Sequence, residues 1–302
     1  MNISRRILFT TFAAAFVFAG CSDDDYPALP DWSQVAPPEE IGNMKEPGKA
    51  DNIVVAHRGG STEAGSAFPD NSIASLNYAM SLGCYASECD IYWTKDNDVV
   101  VAHADSQCRI NGLHPWEATL AEIRAAGKLS NGETIPSLGE YIDKVMTEGS
   151  CTRLWLDIKN ITSPSTLTQY PIAACRRACE IAEEKEAKKF IEFICTGNAT
   201  VMASSFTAAT LAGIPIAWMS NSSGTVYGTR GYPWANLSIE YIYQNGQTIG
   251  TRTISEFKNA GIKLSVYNVD TNADIQYYSS NVIDLKAICT NYPKKLINAM
   301  KP

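Results

Sequence analysis

Short apolar runs alternate along this chain with longer stretches of helical periodicity. The runs carry the two-residue alternation or the unbroken apolar character of strands, and the stretches between them repeat apolar residues at three- and four-residue spacing. Nine runs are predicted as strands: 53–56, the run containing Glu88 and Asp90, 99–102, 153–158, 201–204, 214–219, 237–240, 263–268 and 285–290. Seven stretches are predicted as helices: 72–82, 120–126, 138–146, 171–188, 207–212, 253–261 and 272–279.

This alternation predicts a parallel sheet, because parallel strands need crossover connections, which are usually helices. Eight or nine strand–helix units in about 250 residues fit an α/β fold of the (β/α)8 TIM-barrel type. Residues 51–302 are expected to form this single domain, since neither a second linker nor an internal repeat interrupts them. Nine strands exceed eight by one, so one run is misassigned or lies outside the barrel.

Two carboxylates are predicted to share one face of the second strand. Residues two apart on a strand point the same way, so Glu88 and Asp90 lie on the side of Ala86, opposite Cys89. Side by side, they repel each other unless a cation lies between them. The pair therefore predicts a cation site, and a structural calcium site without chemistry is the open alternative.

Polar residues follow the predicted strands at their carboxyl ends, where a TIM barrel carries its active site. His57 and Arg58 follow the first strand, and His103 follows the third. In the run 153–159, Asp157 and Lys159 share a face, so both are expected to enter the barrel mouth. A simple ion pair between these two is the alternative.

The chemistry of these residues suits cleavage of a phosphodiester. Attack on an anionic phosphorus centre needs charge neutralisation, which a cation held by carboxylates, together with arginine and lysine, supplies. One imidazole can remove the proton of the nucleophile and the other can protonate the leaving alkoxide. The sequence leaves open which histidine does which.

An ordered set of short motifs makes the chain resemble the glycerophosphodiester phosphodiesterase family. That family shows His-Arg-Gly, Pro-Glu-Asn-Thr, Glu-x-Asp, Thr-Lys-Asp-Gly, Val-Val-x-His-Asp, Ile-Pro-Thr-Leu, Glu-x-Lys, Ser-Phe, Trp-Thr-Val-Asn and Thr-Asp-x-Pro. The chain has HRG at 57–59, PDNS at 69–72, ECD at 88–90, TKDND at 94–98, VVVAH at 99–103, IPSL at 135–138, DIK at 157–159, SSF at 204–206, VYNV at 266–269 and TNYP at 290–293. The match covers the whole domain in the right order.

The resemblance implies a distorted TIM barrel with one divalent cation, Ca²⁺ or Mg²⁺. By position it implies that Glu88, Asp90 and Asp157 are metal ligands and that His57 and His103 are the acid/base pair. It also implies that Arg58 and Lys159 contact the phosphate and that Asp70, Asn71 and Tyr267 are possible site-lining residues. The chain departs from the family at three of these positions, because Asp157 and Asp70 replace glutamates and Tyr267 replaces a tryptophan.

The expected function is therefore metal-dependent hydrolysis of small glycerophosphodiesters to glycerol 3-phosphate and an alcohol. The departures, and the long 61–68 loop, keep two alternatives open: an enzyme acting on another lipid-derived or polymeric phosphodiester, and a non-catalytic surface protein that binds phosphodiesters. No protein partner is inferred. The net charge of −7 argues against a nucleic-acid surface and means that a phosphate substrate needs local cations.

The amino-terminal residues 1–20 resemble a lipoprotein signal peptide. Arg5 and Arg6 precede a short apolar run, and Ala19-Gly20 directly precede Cys21, which implies cleavage there and lipidation of Cys21. Residues 21–50 contain five prolines and are predicted as an extended tether. The protein is thus expected to be an exported bacterial lipoprotein of the cell envelope, held at the outer membrane and exposed at the surface. A plain secretory signal is the alternative.

The remaining eight cysteines do not indicate a metal or nucleophile site. The sequence has no C-x-x-C pattern, and several cysteines lie in apolar strand-like runs, where a free cysteine acts as a small hydrophobe. Zinc binding and cysteine catalysis are therefore poor interpretations, while the disulfide state stays open.

Overall fold

A computed structural model of the chain describes residues 50–147, 150–161 and 166–301. The strands there are β1 Val54–Ala56, β2 Ala86–Trp93, β3 Val99–Val101, β4 Arg153–Ile158, β5 Ile191–Cys195, β6 Ile216–Trp218, β7 Trp234–Ser238, β8 Tyr243–Gln244, β9 Gln247–Thr248, β10 Lys263–Tyr267 and β11 Ala287–Thr290. The α-helices are α1 Ser61–Ala64, α2 Ile73–Ser81, α3 Leu120–Ala126, α4 Leu138–Val145, α5 Gln169–Glu184, α6 Ala199–Leu211, α7 Gly224–Thr229, α8 Ile254–Asn259, α9 Asn272–Ser279 and α10 Pro293–Ala299.

Eight parallel strands close into a barrel in the order β1, β2, β4, β5, β6, β7, β10, β11, and β11 pairs back with β1. The predicted (β/α)8 fold is confirmed. The predicted strand 99–102 is β3, which pairs antiparallel with β2 outside the barrel. The short hairpin β8–β9 is a further excursion between β7 and α8.

Two predictions in the middle of the chain are wrong. Residues 201–204 are not a strand but part of α6, whose first turn is capped by the Asn198 side chain, which accepts a hydrogen bond from the Val201 N–H. The strand of this part of the chain is β5, which lies before α6 and was not predicted from the sequence. The predicted helix 171–188 also ran too far, since α5 ends at Glu184 and Glu186 has a left-handed φ of 54°. That turn leaves room for β5 before α6.

The helix starts follow the sequence closely because side chains cap them. Ser72, Thr119, Ser137 and Thr253 precede α2, α3, α4 and α8, and each side chain accepts a hydrogen bond from the third helical residue's N–H. Such a cap stabilises a helix by about 1 kcal/mol. The predicted helices 120–126 and 272–279 coincide with α3 and α9, and α9 is capped by Thr271, whose side chain accepts a hydrogen bond from the Asp274 N–H.

The barrel interior is apolar in its middle and ionic at its amino end. Val55, Ala86, Trp155, Ile194, Ala217, Trp234, Ala287 and Cys289 form the buried inner cluster. Below it the carboxylate of Glu192 accepts hydrogen bonds from Trp155 Nε1 at 2.7 Å and Tyr85 Oη at 2.9 Å, and pairs with Lys286 Nζ at 2.9 Å. The Glu192 carboxylate thus has its hydrogen-bonding and ionic partners within the amino end of the barrel.

The expectations for the amino-terminal segments, the signal at 1–20, the lipid anchor at Cys21 and the tether, lie outside the described residues. Within the described ranges no helix is both long and apolar enough to cross a bilayer. The eight cysteines of this part of the chain are free, and all but Cys151 are buried.

Candidate active site at the carboxyl end of the barrel

Three carboxylates from two adjacent strands meet at the carboxyl end of the barrel. Glu88 and Asp90 are on β2, and Asp157 on β4 is the direct register partner of Asp90. The three residues are 2%, 0% and 3% exposed. One oxygen of each lies within 4.8 Å of the others. Their inward direction, predicted from strand alternation, agrees with the structure.

Two cationic side chains lie against this acidic cluster. Lys159 Nζ is 2.6 Å from Asp90 Oδ1 and also contacts Asp157 Oδ2. Arg58 Nε is 3.3 Å from Asp90 Oδ2, and Arg58 Nη1 donates a hydrogen bond to Asp70 Oδ2 at 2.9 Å. The cluster thus has the cations that the sequence predicted at the barrel mouth.

The turn after β1 brings the Arg58 backbone to the carboxylates. Arg58 has a left-handed φ of 49°, and its N–H donates a hydrogen bond to Glu88 Oε2 at 2.9 Å. Gly59 follows with φ 84°, and a Cβ there would lie 2.6 Å from the Ser75 backbone carbon of α2. Only glycine fits this close approach, which explains the His-Arg-Gly sequence in structural terms.

The pKa values of the three carboxyl groups are shifted in different directions. Burial, and then the neighbouring Asp90, raise the pKa of Glu88 well above its ordinary value. Burial also raises the pKa of Asp157, although Lys159 opposes the shift. Burial alone would raise the pKa of Asp90, but Lys159 and Arg58 together hold it below its ordinary value. Lys159 and Arg58 thus favour the charged form of Asp90, whereas burial disfavours the charged forms of Glu88 and Asp157 while no further cation lies between them.

The donor set fits a hard divalent cation. Asp157 Oδ1 is buried and has no hydrogen-bond partner, so one ligand oxygen is left for another cation. Two oxygens bound to one Ca²⁺ at 2.3–2.6 Å can be up to about 5 Å apart, which accommodates the observed spacing. Carboxylate oxygens are also the ligands that Ca²⁺ and Mg²⁺ prefer.

His57 lies directly after β1 and is held from a distant part of the chain. Its Nδ1 is 2.7 Å from Asn291 Oδ1, and its Nε2 is 3.8 Å from Glu88 Oε2. The Asn291 side chain donates in turn to Asp270 Oδ2 at 2.6 Å. Burial lowers the pKa of His57 below its ordinary value. Sequence reasoning assigned no role to Asn291 or Asp270, although Asn291 lies in the TNYP motif.

His103 follows β3, whose pairing with β2 brings it to the same end of the barrel. The neighbouring Ala102 N–H donates a hydrogen bond to the Asp90 carbonyl oxygen at 3.1 Å. His103 is exposed at the surface. Loss of solvent around its ring is the main cause that lowers its pKa; Arg58 and Lys159 lower the pKa further, and Asp90 opposes the shift. The strand outside the barrel thus places the candidate histidine His103 at the carboxyl end of β2's neighbour, where Asp90, Arg58 and Lys159 influence its pKa.

The three possible site-lining residues lie around the cluster. Asn71 donates a hydrogen bond to Asp90 Oδ2 at 2.8 Å, and Asp70 pairs with Arg58. Tyr267 ends β10, and burial, then Asp157, raise its pKa to about 12. Glu63, on α1, is not part of this set, because its carboxylate accepts hydrogen bonds from the Lys294 and Lys295 N–H groups and so caps α10.

Comparisons with known proteins agree with this geometry. The sequence model of the glycerophosphoryl diester phosphodiesterase family matches residues 57–295. A glycerophosphodiester phosphodiesterase of Caldanaerobacter subterraneus subsp. tengcongensis is 27% identical over 264 residues, which are 82% of this chain and 98% of that protein.

Solved structures show the same fold. A glycerophosphodiester phosphodiesterase from Parabacteroides distasonis is 22% identical with a TM-score of 0.65, over 84% of this chain and 98% of that one. A phosphodiesterase of Oleispira antarctica, solved with the product sn-glycerol-3-phosphate, is 21% identical with a TM-score of 0.61, over 82% and 96% of the two chains.

Proposed function

The chain belongs to the glycerophosphoryl diester phosphodiesterase family and is a phosphoric diester hydrolase, and from this premise we propose that it hydrolyses glycerophosphodiesters to glycerol 3-phosphate and an alcohol. The observation that carries the proposal is the buried Glu88–Asp90–Asp157 cluster, with its orphaned Asp157 Oδ1, beside two histidines and two cations. The relative solved with sn-glycerol-3-phosphate adds support.

In this proposal the three carboxylates hold one divalent cation, Ca²⁺ or Mg²⁺. The bound ion supplies positive charge to the phosphoryl oxygens. Arg58 and Lys159 add positive charge from the protein and bind the phosphate, which the net charge of the chain would otherwise repel. Asp70 and Asn71 hold Arg58 and Asp90 in place through the hydrogen bonds described above.

His57 and His103 are proposed as the general acid and base. One imidazole, in its neutral form, accepts the proton of the nucleophile, and the lowered pKa of both rings favours that form. The other imidazole, in its protonated form, donates its proton to the leaving alkoxide. The nucleophile is either water or a neighbouring hydroxyl of the glycerol.

Turnover of defined diesters with and without metal tests the proposal. Purified protein is incubated with glycerophosphocholine, glycerophosphoethanolamine and glycerophosphoinositol, first with Ca²⁺ or Mg²⁺ and then with excess chelator. We expect release of glycerol 3-phosphate that stops on chelation and returns when metal is added back. Turnover that survives chelation would remove the metal from the proposal.

Two alternatives are separated by the same assay. Tyr267, where the family motif has tryptophan, and the 61–68 segment favour a different leaving group, such as an intact lipid head group or a polymeric diester. Hydrolysis of these but not of glycerophosphodiesters would support that enzyme. Binding of diesters without turnover, in protein with both histidines intact, would support a non-catalytic binding protein.

We also propose that the mature protein is a lipoprotein of the cell envelope anchored at Cys21. The support is the Ala19-Gly20-Cys21 sequence after a short apolar run. Mass spectrometry of the amino-terminal peptide is expected to find acyl chains on Cys21 as the first residue. An unmodified Cys21 in membrane-extracted protein would contradict the anchor.

A further inference from the structure

A chain of hydrogen bonds leads from the loop after β10 to His57. The Asp270 carboxylate accepts a hydrogen bond from the Asn291 side-chain Nδ2 at 2.6 Å on one oxygen and from the Asn291 backbone N–H at 2.8 Å on the other. Thr290 Oγ1 lies 3.0 Å from the second oxygen. Asp270 is thus hydrogen-bonded to both the backbone and the side chain of Asn291 and fixes the orientation of that side chain.

These hydrogen bonds determine which end of the Asn291 amide faces Asp270 and which faces His57. An ionised carboxylate is an acceptor only, so the amide must present its NH₂ group to Asp270. The amide oxygen Oδ1 then faces His57 Nδ1, 2.7 Å away. Because that oxygen can only accept, the hydrogen must be on His57 Nδ1.

The second ring nitrogen of His57 therefore carries the lone pair. Nε2 faces the acidic cluster, 3.8 Å from Glu88 Oε2. A neutral imidazole with its hydrogen on Nδ1 can take a proton on Nε2 from an attacking hydroxyl, and the Nδ1–H···Oδ1 bond remains intact when it does. His57 is then built as the proton acceptor, which leaves the proton donor's role to His103.

We propose that Asp270 and Asn291 are positioning residues that fix the Nδ1–H tautomer of His57 and so make it the general base. The proposal rests on the proposed phosphodiesterase function. The two residues follow β10 and β11, which are neighbours in the barrel, while His57 follows β1, the next strand around. Three adjacent strand ends are thereby joined into one rigid unit.

Exchanging the two residues tests the proposal. Asn291→Asp places two acceptor groups against each other, and Asp270→Asn leaves two amides that can flip and present NH₂ to His57. We expect each single variant to lower kcat by about 10²-fold with little change in KM, since a general base contributes about 10²–10⁴-fold. In the double variant D270N/N291D, an amide again donates to a carboxylate that accepts from His57 Nδ1, so most of the lost kcat is expected to return.

The tautomer is read directly by ¹⁵N NMR of the imidazole in free protein at one fixed pH. We expect hydrogen on Nδ1 in wild type and in the double variant, and a mixture in Asp270→Asn. Asn281→Asp, in the turn that follows α9, is the matched control and is expected to behave as wild type in both readouts.

Hydrogen on Nε2 in the wild type would overturn the proposal, as would unchanged kcat in both single variants. A folded double variant no better than the worse single variant would also overturn it. Failure of the proposed function has a different signature: no diester is turned over by the wild type, although His57 shows the Nδ1–H tautomer.

Discussion

Lys159 is expected to be the counter-ion that keeps the metal-free barrel mouth folded. Its Nζ contacts both Asp90 and Asp157, whose side chains are 0% and 4% exposed. Replacing it with methionine keeps most of the side-chain volume and removes the charge. Lys159 contacts these two aspartates, so they are the carboxylates that lose an ionic partner in the variant.

The size of the effect follows from burial. Removing one partner of a buried ion pair typically costs about 3–5 kcal/mol, since the other charge is left uncompensated. A change of 1 kcal/mol shifts the Tm of a domain of this size by about 2–4 °C. Lys159→Met is therefore expected to unfold roughly 6–20 °C below wild type in the presence of chelator.

Thermal unfolding in chelator and in Ca²⁺ measures this directly. Lys185→Met is the matched control, because Lys185 pairs at 2.6 Å with Asp143, whose side chain is 65% exposed. An exposed pair of this kind contributes about 0–1 kcal/mol. We expect Ca²⁺ to raise the Tm of Lys159→Met by more than that of wild type, since the ion no longer competes with an ammonium group.

Unfolding of Lys159→Met within about 2 °C of Lys185→Met in chelator, a gap worth at most about 1 kcal/mol, would show that Lys159 is not the required counter-ion. The aspartates would then draw their compensation from Arg58 and Asn71 alone. An equal Ca²⁺-induced rise in wild type and Lys159→Met would show that Lys159 does not occupy the position of the ion.

Three further predictions concern the carboxylates and the histidines. Asp157→Ala is expected to weaken metal affinity, measured by calorimetry, at least about 100-fold, which is more than the 10–100-fold typical of changes outside the ligand set. Asp157→Glu is expected to keep substantial activity because Ca²⁺ tolerates varied geometry. Unchanged metal affinity in Asp157→Ala would exclude Asp157 as a ligand. His57→Ala and His103→Ala should each lower turnover by about 10²–10⁴-fold and leave metal affinity in place; near-normal activity in either would remove that histidine from the mechanism. Burial raises the pKa of Glu88, so its contribution to the stability of the metal-free fold is present at low pH and lost as the pH rises through the folded-state pKa. In chelator, the free energy of unfolding of Glu88→Gln, measured with urea, should therefore fall less than that of wild type between pH 5 and 8. Parallel pH profiles of the two proteins would contradict the raised pKa of Glu88.

Local sequence pattern was sufficient for most of the elements and for the composition of the site. The alternation in β2 oriented Glu88 and Asp90 correctly, and the run 153–159 did the same for Asp157, because strand periodicity depends only on neighbouring residues. The ordered motifs added the family, which the match to residues 57–295 confirms.

Pairings between distant residues decided what the pattern could not. β5 escaped prediction because Glu192 puts a charge on its inward face, and the partners that make this tolerable lie 107 and 94 residues away, at Tyr85 and Lys286. Likewise, nothing near His57 in the sequence indicates Asn291, its partner 234 residues later, which only closure of the barrel brings beside it. Periodicity fixes the direction of a side chain on its own strand, but barrel closure alone decides which side chain it meets.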